Sequence, residues 1–274
     1  MKLPTLLMQT VLTIAGFDPS SGAGVTADLM VFAAHGLFGT SCITSLTVQS
    51  TMGVEGAMAV PPEVVAATLD CLVRDLPPVG IKIGMLGTAA TVDVVAEFLQ
   101  MLREEGRRAT VVLDPVLRSS SGRELLDGEG VGLLRKRLLP LVDWVTPNRE
   151  ELGVLTGHVV TRREEIPDAA VTLQAMGEGL RVVATGGDLD PPDDLLLTAE
   201  GEVMWLPGER IESRSTHGTG CAFSSALLSR VMLGDSVQEA AGMAKRYVAE
   251  AIRTATPLGK GRGPVNHLWP LGDE

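Results

Sequence analysis

The sequence predicts an α/β fold in which one mostly parallel central sheet carries helices on both faces. Three observations lead there. Short, near-continuous apolar runs rich in Val and Ile recur along the chain and read as strands buried on both faces. Helical stretches fall between them, and strands alternating with helices imply βαβ units. The 274 residues contain no internal repeat, low-complexity tract or long linker, which favours one domain over 1–274 rather than two.

The first strand covers 11–15 and ends in a loop from Gly16 to Gly24 too rich in Gly and Pro to be regular. A helix over 25–34 and a strand over 42–48 follow, then a short strand over 54–60. Pro62 opens a helix to residue 75, because its missing N–H is not needed at a first helical position. A strand over 80–83, a helix over 88–103 and a strongly β-branched strand over 109–114 come next. Residues 133–139 read as helical, 144–146 as the end of a strand and 149–155 as the start of a helix. A helix over 169–176 leads to a strand over 180–185. Residues 195–197 and 203–206 read as an antiparallel pair, and helices over 221–232 and 237–255 close the chain. Met1-Lys2 precede an apolar start that includes Leu6 and Leu7, but Pro4, Gln9 and Thr10 interrupt it. It reads as the approach to a strand rather than a signal peptide. No run reaches the roughly 18 apolar residues that a membrane span needs, so the cytoplasm is the default compartment.

The net charge is −11, with no basic cluster beyond Arg135-Lys136-Arg137, so nucleic acid and anionic membrane are excluded as expected partners. An anionic substrate must be held by local amide dipoles and a metal, against the overall field. Cys42, Cys71 and Cys221 are odd in number and widely spaced, which suits free thiols in a reducing compartment. The four histidines lack metal-ligand spacing.

Ser215-Thr216-His217-Gly218-Thr219-Gly220-Cys221 runs directly into an apolar helix. A helix N-terminus presents unpartnered N–H groups and partial positive charge. Gly218 and Gly220 let backbone amides approach a phosphate, and Thr219 adds a hydroxyl. Cys221 lies in the first turn, where the field is expected to lower a thiol pKa. In sheets of this class ligands bind at the carboxyl ends of the strands. The polar strand-end candidates are Asp18, Gln49, Gly84-Met85-Leu86, Asp114, Asn148 with Glu151, and Thr185-Gly186-Gly187-Asp188. Each also fits an ordinary strand-to-helix cap; their repetition at consecutive strand ends points to a site.

These motifs resemble a family. Thr13-Ile14-Ala15-Gly16-x-Asp18-Pro19-Ser20-x-Gly22-Ala23-Gly24-x-x-Ala27-Asp28-Leu29, Gln49-Ser50-Thr51, Lys82-Ile83-Gly84-Met85-Leu86, Leu113-Asp114-Pro115-Val116, Thr146-Pro147-Asn148-x-x-Glu151, His217-Gly218-Thr219-Gly220-Cys221 and Gly259-Lys260-Gly261-x-Gly263-Pro264-Val265-x-His267 are similar to the hydroxymethylpyrimidine/phosphomethylpyrimidine kinases of thiamine biosynthesis. These belong to the ribokinase superfamily. The resemblance implies a three-layer ribokinase-like fold and two successive transfers from ATP, with Mg²⁺, to a hydroxymethylpyrimidine and its monophosphate. It implies Gly218, Thr219 and Gly220 as an anion hole, Cys221 as proton acceptor, and Asp114 and Glu151 around Mg²⁺. Asn148, Thr185, Gly187 and Lys260 would face ATP. Gly16, Ala23, Asp28, Gln49, Met85 and Val116 would form the pyrimidine pocket. Family members commonly form dimers, so a homodimer is the expected assembly.

The chain departs from the family at Thr185-Gly186-Gly187-Asp188, where Lys-Gly-Gly-His is usual. A cation near the phosphates is missing, and Arg118 and Lys260 are the candidates to replace it. Phe17 and Ser21 stand where smaller residues or Gly are common. Two other readings remain. One is a pyridoxine/pyridoxal-type kinase, and the other is a pyrimidine-binding sensor without transfer activity, against which the presence of Cys221, Asp114 and Glu151 argues.

Overall fold

The computed structural model describes residues 8–119 and 122–272; Met1, Lys2, Pro4, Leu6 and Leu7 lie outside them. A nine-stranded sheet runs in the order β3 (Gly53–Ala59), β2 (Phe38–Ser50), β1 (Thr10–Phe17), β4 (Gly80–Ile83), β5 (Thr110–Leu113), β6 (Trp144–Val145), β7 (Arg181–Ala184), β8 (Asp194–Leu197) and β9 (Val203–Leu206). The six strands from β2 to β7 in this order are parallel, whereas β3, β8 and β9 pair antiparallel at the two edges. The period-two alternation of strands sorts side chains between two cores. Leu12, Ile14, Val111, Leu113, Val182, Leu195 and Leu197 face one, and Val11, Val112, Val183 and Leu196 face the other.

The first core is covered by α2 (Pro62–Asp75), α3 (Ala89–Glu104), α4 (Gly128–Leu133), α5 (Arg149–Thr156) and α6 (Ile166–Gln174), and the second by α1 (Gly24–Ala34), α7 (Thr219–Met232) and α8 (Val237–Arg253). This is the three-layer α/β arrangement expected. A small parallel pair, β10 (Ser215–His217) with β11 (Gly263–Pro264), holds the start of α7; strands this short carry no periodicity to read.

Several boundaries differ from expectation. The helix expected over 133–139 begins earlier, as α4, because Asp127 accepts from Gly130 N at 2.8 Å and caps it. A wider π turn (Leu134–Leu138) and a 3-10 turn (Leu139–Leu141) follow, and Pro140 cannot supply the donor that an α-helix needs. The strand expected over 42–48 is extended at both ends, and its far end leaves the parallel sheet to pair with β3 as a projecting hairpin. The helix expected over 221–232 starts two residues earlier, at Thr219.

Candidate active site

Gly218 takes a left-handed φ of 85° and forms the N-cap of α7. A Cβ there would lie 1.7 Å from Gly22 O, so only glycine permits this approach. No side chain caps the helix. The first intrahelical bond runs from Ala222 N to Gly218 O at 2.8 Å, leaving the N–H groups of Thr219, Gly220 and Cys221 ahead of the ladder. Gly220 is exposed, and the one atom near its missing side chain is Asp114 Oδ2, at 3.9 Å. The helix end thus opens towards the carboxyl end of β5, an arrangement that binds anions.

Asp114 is nine-tenths or more buried just beyond β5. Its Oδ2 accepts from Ser224 Oγ at 3.1 Å. Burial pushes Asp114 upward and Asp28 adds to the effect; Lys82 opposes it without cancelling it. Glu151 is pushed up to about 8 by burial and then by the Asp114 charge, despite bonds from the backbone amides of Asn148 and Leu117. The Asp114 charge thus raises Glu151, and the oxygens of these two buried carboxylates are the hard donors that Mg²⁺ prefers while it keeps several waters. Among the described residues no group of three or more His, Cys, Asp or Glu side chains is arranged to hold a metal.

The expectation for Cys221 is corrected. Its thiol is pushed up to about 12, first by burial and then by Asp114 and Asp28, which Lys82 only partly offsets. Desolvation penalises the thiolate more than the helix terminus favours it, so Cys221 rests as a neutral thiol.

Glu151 also gives a pH prediction. Its folded pKa of about 8 exceeds the unfolded value of about 4.3, so the folded state holds the proton more tightly. The contribution to stability is complete below about pH 4.3 and is lost as pH rises through about 8. Glu151→Gln keeps the cap and removes the charge. In metal-free thermal denaturation, its melting temperature should rise relative to the parent between pH 5 and 9. A pH-independent difference would contradict the shift.

Asp28 is not where the resemblance places it. It is fully buried, and both oxygens are engaged: Lys82 Nζ lies 2.9 and 3.0 Å from Oδ1 and Oδ2, Ser225 Oγ donates to Oδ1 at 2.8 Å, and Thr13 Oγ1 donates to Oδ2 at 2.5 Å. Lys82 is also fully buried. Burial alone would lower its pKa, but Asp28 outweighs that and raises it, so the ammonium stays charged. A Cβ at Gly84 would meet Lys82 Nζ at 2.8 Å, which explains the glycine after β4. Asp28 is a structural partner beneath the site, and a ligand cannot reach it.

Of the other residues expected at the pocket, Gly16 and Met85 lie together, and Ala23 and Gln49 meet around Asp18 and His217. Met85 Sδ would lie 3.0 Å from a Cβ at Gly16, and Thr44 Oγ1 donates to Met85 O at 2.6 Å. Ala23 is the N-cap of α1, and its N–H donates to Asp18 Oδ2 at 3.0 Å. Val116 is half-buried two residues past Asp114. Gln49 Nε2 lies 3.1 Å from His217 Nε2, which lies 2.7 Å from Asp18 Oδ2. His217 was not singled out from the sequence as a site residue, although it immediately precedes the first glycine of the anion-binding turn. Ser21, flagged as unusual, has a left-handed φ of 58°. A non-glycine residue there costs about 1–2 kcal/mol, partly matched by the chain entropy that glycine adds to the unfolded state. Ser21→Gly should therefore stabilise the protein by about 0.5 kcal/mol, read as a small rise in denaturation midpoint.

At the opposite side, Asn148 and Glu151 form a capping box at the start of α5, and Asn148 bridges to Thr185 beside β7. The exposed Gly187 follows. Asp188 is paired with Arg149 at 2.7 Å. Arg210 donates to Gly187 O at 2.9 Å and also to Leu189 O. Arg118, expected to supply the missing cation, is instead paired with Glu150 at 2.7 Å. Lys260 is exposed in a loop held to the β2–β3 turn, where Arg262 N donates to Thr51 O at 2.9 Å.

The phosphomethylpyrimidine kinase family model matches residues 18–266. The chain is 42% identical over 265 residues to the thiamine biosynthesis bifunctional protein ThiED of Geobacter sulfurreducens, covering 96% of this chain and 53% of that longer protein, so it spans about half of that relative. It is 38% identical over 264 residues to the hydroxymethylpyrimidine/phosphomethylpyrimidine kinase of Haemophilus influenzae, covering 95% of this chain and 97% of the relative. Among solved structures, an ADP complex of Bacillus subtilis pyridoxal kinase superposes with a TM-score of 0.84 at 28% identity, over 97% of this chain and 100% of that one. Among the described residues no helix is long and apolar enough to cross a membrane.

Proposed function

The chain belongs to the phosphomethylpyrimidine kinase family, and from that premise we propose that it moves the γ-phosphoryl group of ATP to 4-amino-5-hydroxymethyl-2-methylpyrimidine. A second transfer, to the monophosphate, follows in the same site as a step of thiamine biosynthesis. One observation carries this reading: an uncapped helix N-terminus, a thiol and two buried carboxylates converge at the carboxyl end of β5. Phosphoryl transfer needs little covalent help from a protein; it needs positioning and preorganised donors where charge develops.

Gly218, Thr219 and Gly220 bind the transferring phosphoryl group through their amides, and Cys221 takes the substrate hydroxyl proton. Asp114 and Glu151 hold Mg²⁺, which when bound neutralises charge on the phosphate oxygens. Asn148, Thr185, Gly187 and Lys260 face ATP, and Arg149, not Arg118, is the cation seated beside the Thr185–Asp188 turn. Gly16, Ala23, Gln49, Met85 and Val116 enclose the pyrimidine. The protein acts as one domain over 1–274 in the cytoplasm. It works as a homodimer joined through the projecting β2–β3 hairpin, whose Leu46, Val48 and Met58 are exposed at a sheet edge.

The test is ADP release by purified protein with Mg·ATP, comparing hydroxymethylpyrimidine, its monophosphate, pyridoxal and ribose at equal concentration. Turnover of both pyrimidines is expected. The likeness to a pyridoxal kinase favours the second reading, and a preference for pyridoxal in this assay would establish it. Pyrimidine binding without turnover would establish the sensor.

A further inference from the structure

The amide of Gln49 and the ring of His217 meet nitrogen to nitrogen, 3.1 Å apart, and the same His217 Nε2 lies 2.7 Å from Asp18 Oδ2. Only one arrangement of hydrogens satisfies all three groups. Asp18 receives donors on both oxygens: Ser20 N at 2.8 Å and Ser20 Oγ at 2.7 Å on Oδ1, and Ala23 N at 3.0 Å on Oδ2. Burial works against its charge, but the bonds from His217 and Ser20 outweigh that and hold it below the usual carboxylate range. A carboxylate only accepts. His217 Nε2 must therefore carry its hydrogen and direct it at Asp18.

A ring nitrogen that is donating has no lone pair to offer an amide NH₂. The end of the Gln49 amide that belongs against His217 is then its oxygen, sharing the Nε2–H with Asp18 as a three-centre bond. Gln49 is half-buried and its side chain makes no other hydrogen bond among the described residues, so its NH₂ group is left free of protein partners. The imidazole is wedged in place. A Cβ at Gly22 would lie 2.1 Å from His217 Cδ2, His267 Nε2 lies 3.0 Å from Gly22 O, and Val265 N donates to His217 O at 3.3 Å.

We propose that Asp18 and His217 are positioning residues that lock the Gln49 amide with its NH₂ towards the substrate, so that the pocket selects heteroaromatic alcohols with an unprotonated ring nitrogen at that edge. The proposal rests on the reading of Gln49 as a pyrimidine contact. A site built to hydrogen-bond a group rejects analogues without it far more strongly than an apolar pocket rejects a shape.

Gln49→Glu tests the orientation directly, because a carboxylate keeps the bond from His217 and has no hydrogen to donate. The KM for hydroxymethylpyrimidine should rise about 30-fold or more, on the scale of a lost buried donor, while the KM for ATP stays within about twofold. The parent's preference for the pyrimidine over its carbocyclic analogue, with both ring nitrogens replaced by CH, should collapse in the same variant. Asp18→Asn places an amide against His217, frees the imidazole to change tautomer and should raise the pyrimidine KM about tenfold. An unchanged pyrimidine KM in Gln49→Glu would mean that the carbonyl faces the ligand and would overturn the proposal. So would an Asp18→Asn variant that melts earlier yet keeps its KM. Gln49→Ala separates the two levels: if it too leaves the pyrimidine KM unchanged, Gln49 touches no substrate and the underlying reading fails. ¹⁵N NMR of the ligand-free protein gives an independent measurement. Hydrogen on Nε2 of His217 is expected, and a ring protonated on Nδ1 alone would overturn the assignment.

Discussion

Lys82→Met is expected to destabilise the protein by about 3–5 kcal/mol, because removing one member of a buried ion pair leaves the other charge without a partner. For a chain of this length that is a fall in melting temperature of about 5–10 °C. The pair is fully buried and ties together four elements: β1 through Thr13, α1 through Asp28, β4 through Lys82 and α7 through Ser225. The second arm is Lys82→Met with Asp28→Leu. Removing both charges should recover much of the loss, and the double-mutant cycle should show coupling of at least about 2 kcal/mol. Additive single effects would mean that the two side chains act independently.

Cys221→Ala should retain ATP binding and lower kcat about 100-fold, the lower range for a positioned proton acceptor, since a loose transition state asks little of a base. A thiol pushed up to about 12 cannot wait as a thiolate at neutral pH. It can still accept a proton if its own leaves at the same moment, and the Asp114 carboxylate is near enough for its charge to raise the thiol. Single-turnover kinetics with isothermal titration of ATP separates chemistry from binding. Unchanged turnover would remove Cys221 from the proton path.

How much of this was legible depended on whether the determinant lay in one stretch of chain. The parallel strands showed because they are apolar on both faces, and the β8–β9 pair because two short apolar runs are close in sequence. The anion-binding helix start showed because glycines at fixed spacing have a local meaning. The Asp28–Lys82 pair did not, since it joins residues 54 apart that are each compatible with a solvent-facing helix or a strand. Asp28 therefore read as a ligand when it is a buried partner. The thiol pKa of Cys221 was misread for a related reason: the helix terminus is visible in sequence, whereas desolvation and the nearby Asp114 and Asp28 charges appear only once the layers are packed. Arg149 went unnoticed because its partner, Asp188, arrives from the next strand end.

The contact between Gly218 and Gly22, with no room for even one carbon between them, means that the proposed phosphoryl cradle and the proposed substrate-pocket loop are referenced to each other through main chain alone. Side-chain rotamer hops do not enter that distance. Where a misplacement of about 1 Å can cost a hundredfold in rate, the tolerance of the reacting geometry is set by the stiffness of two polypeptide backbones.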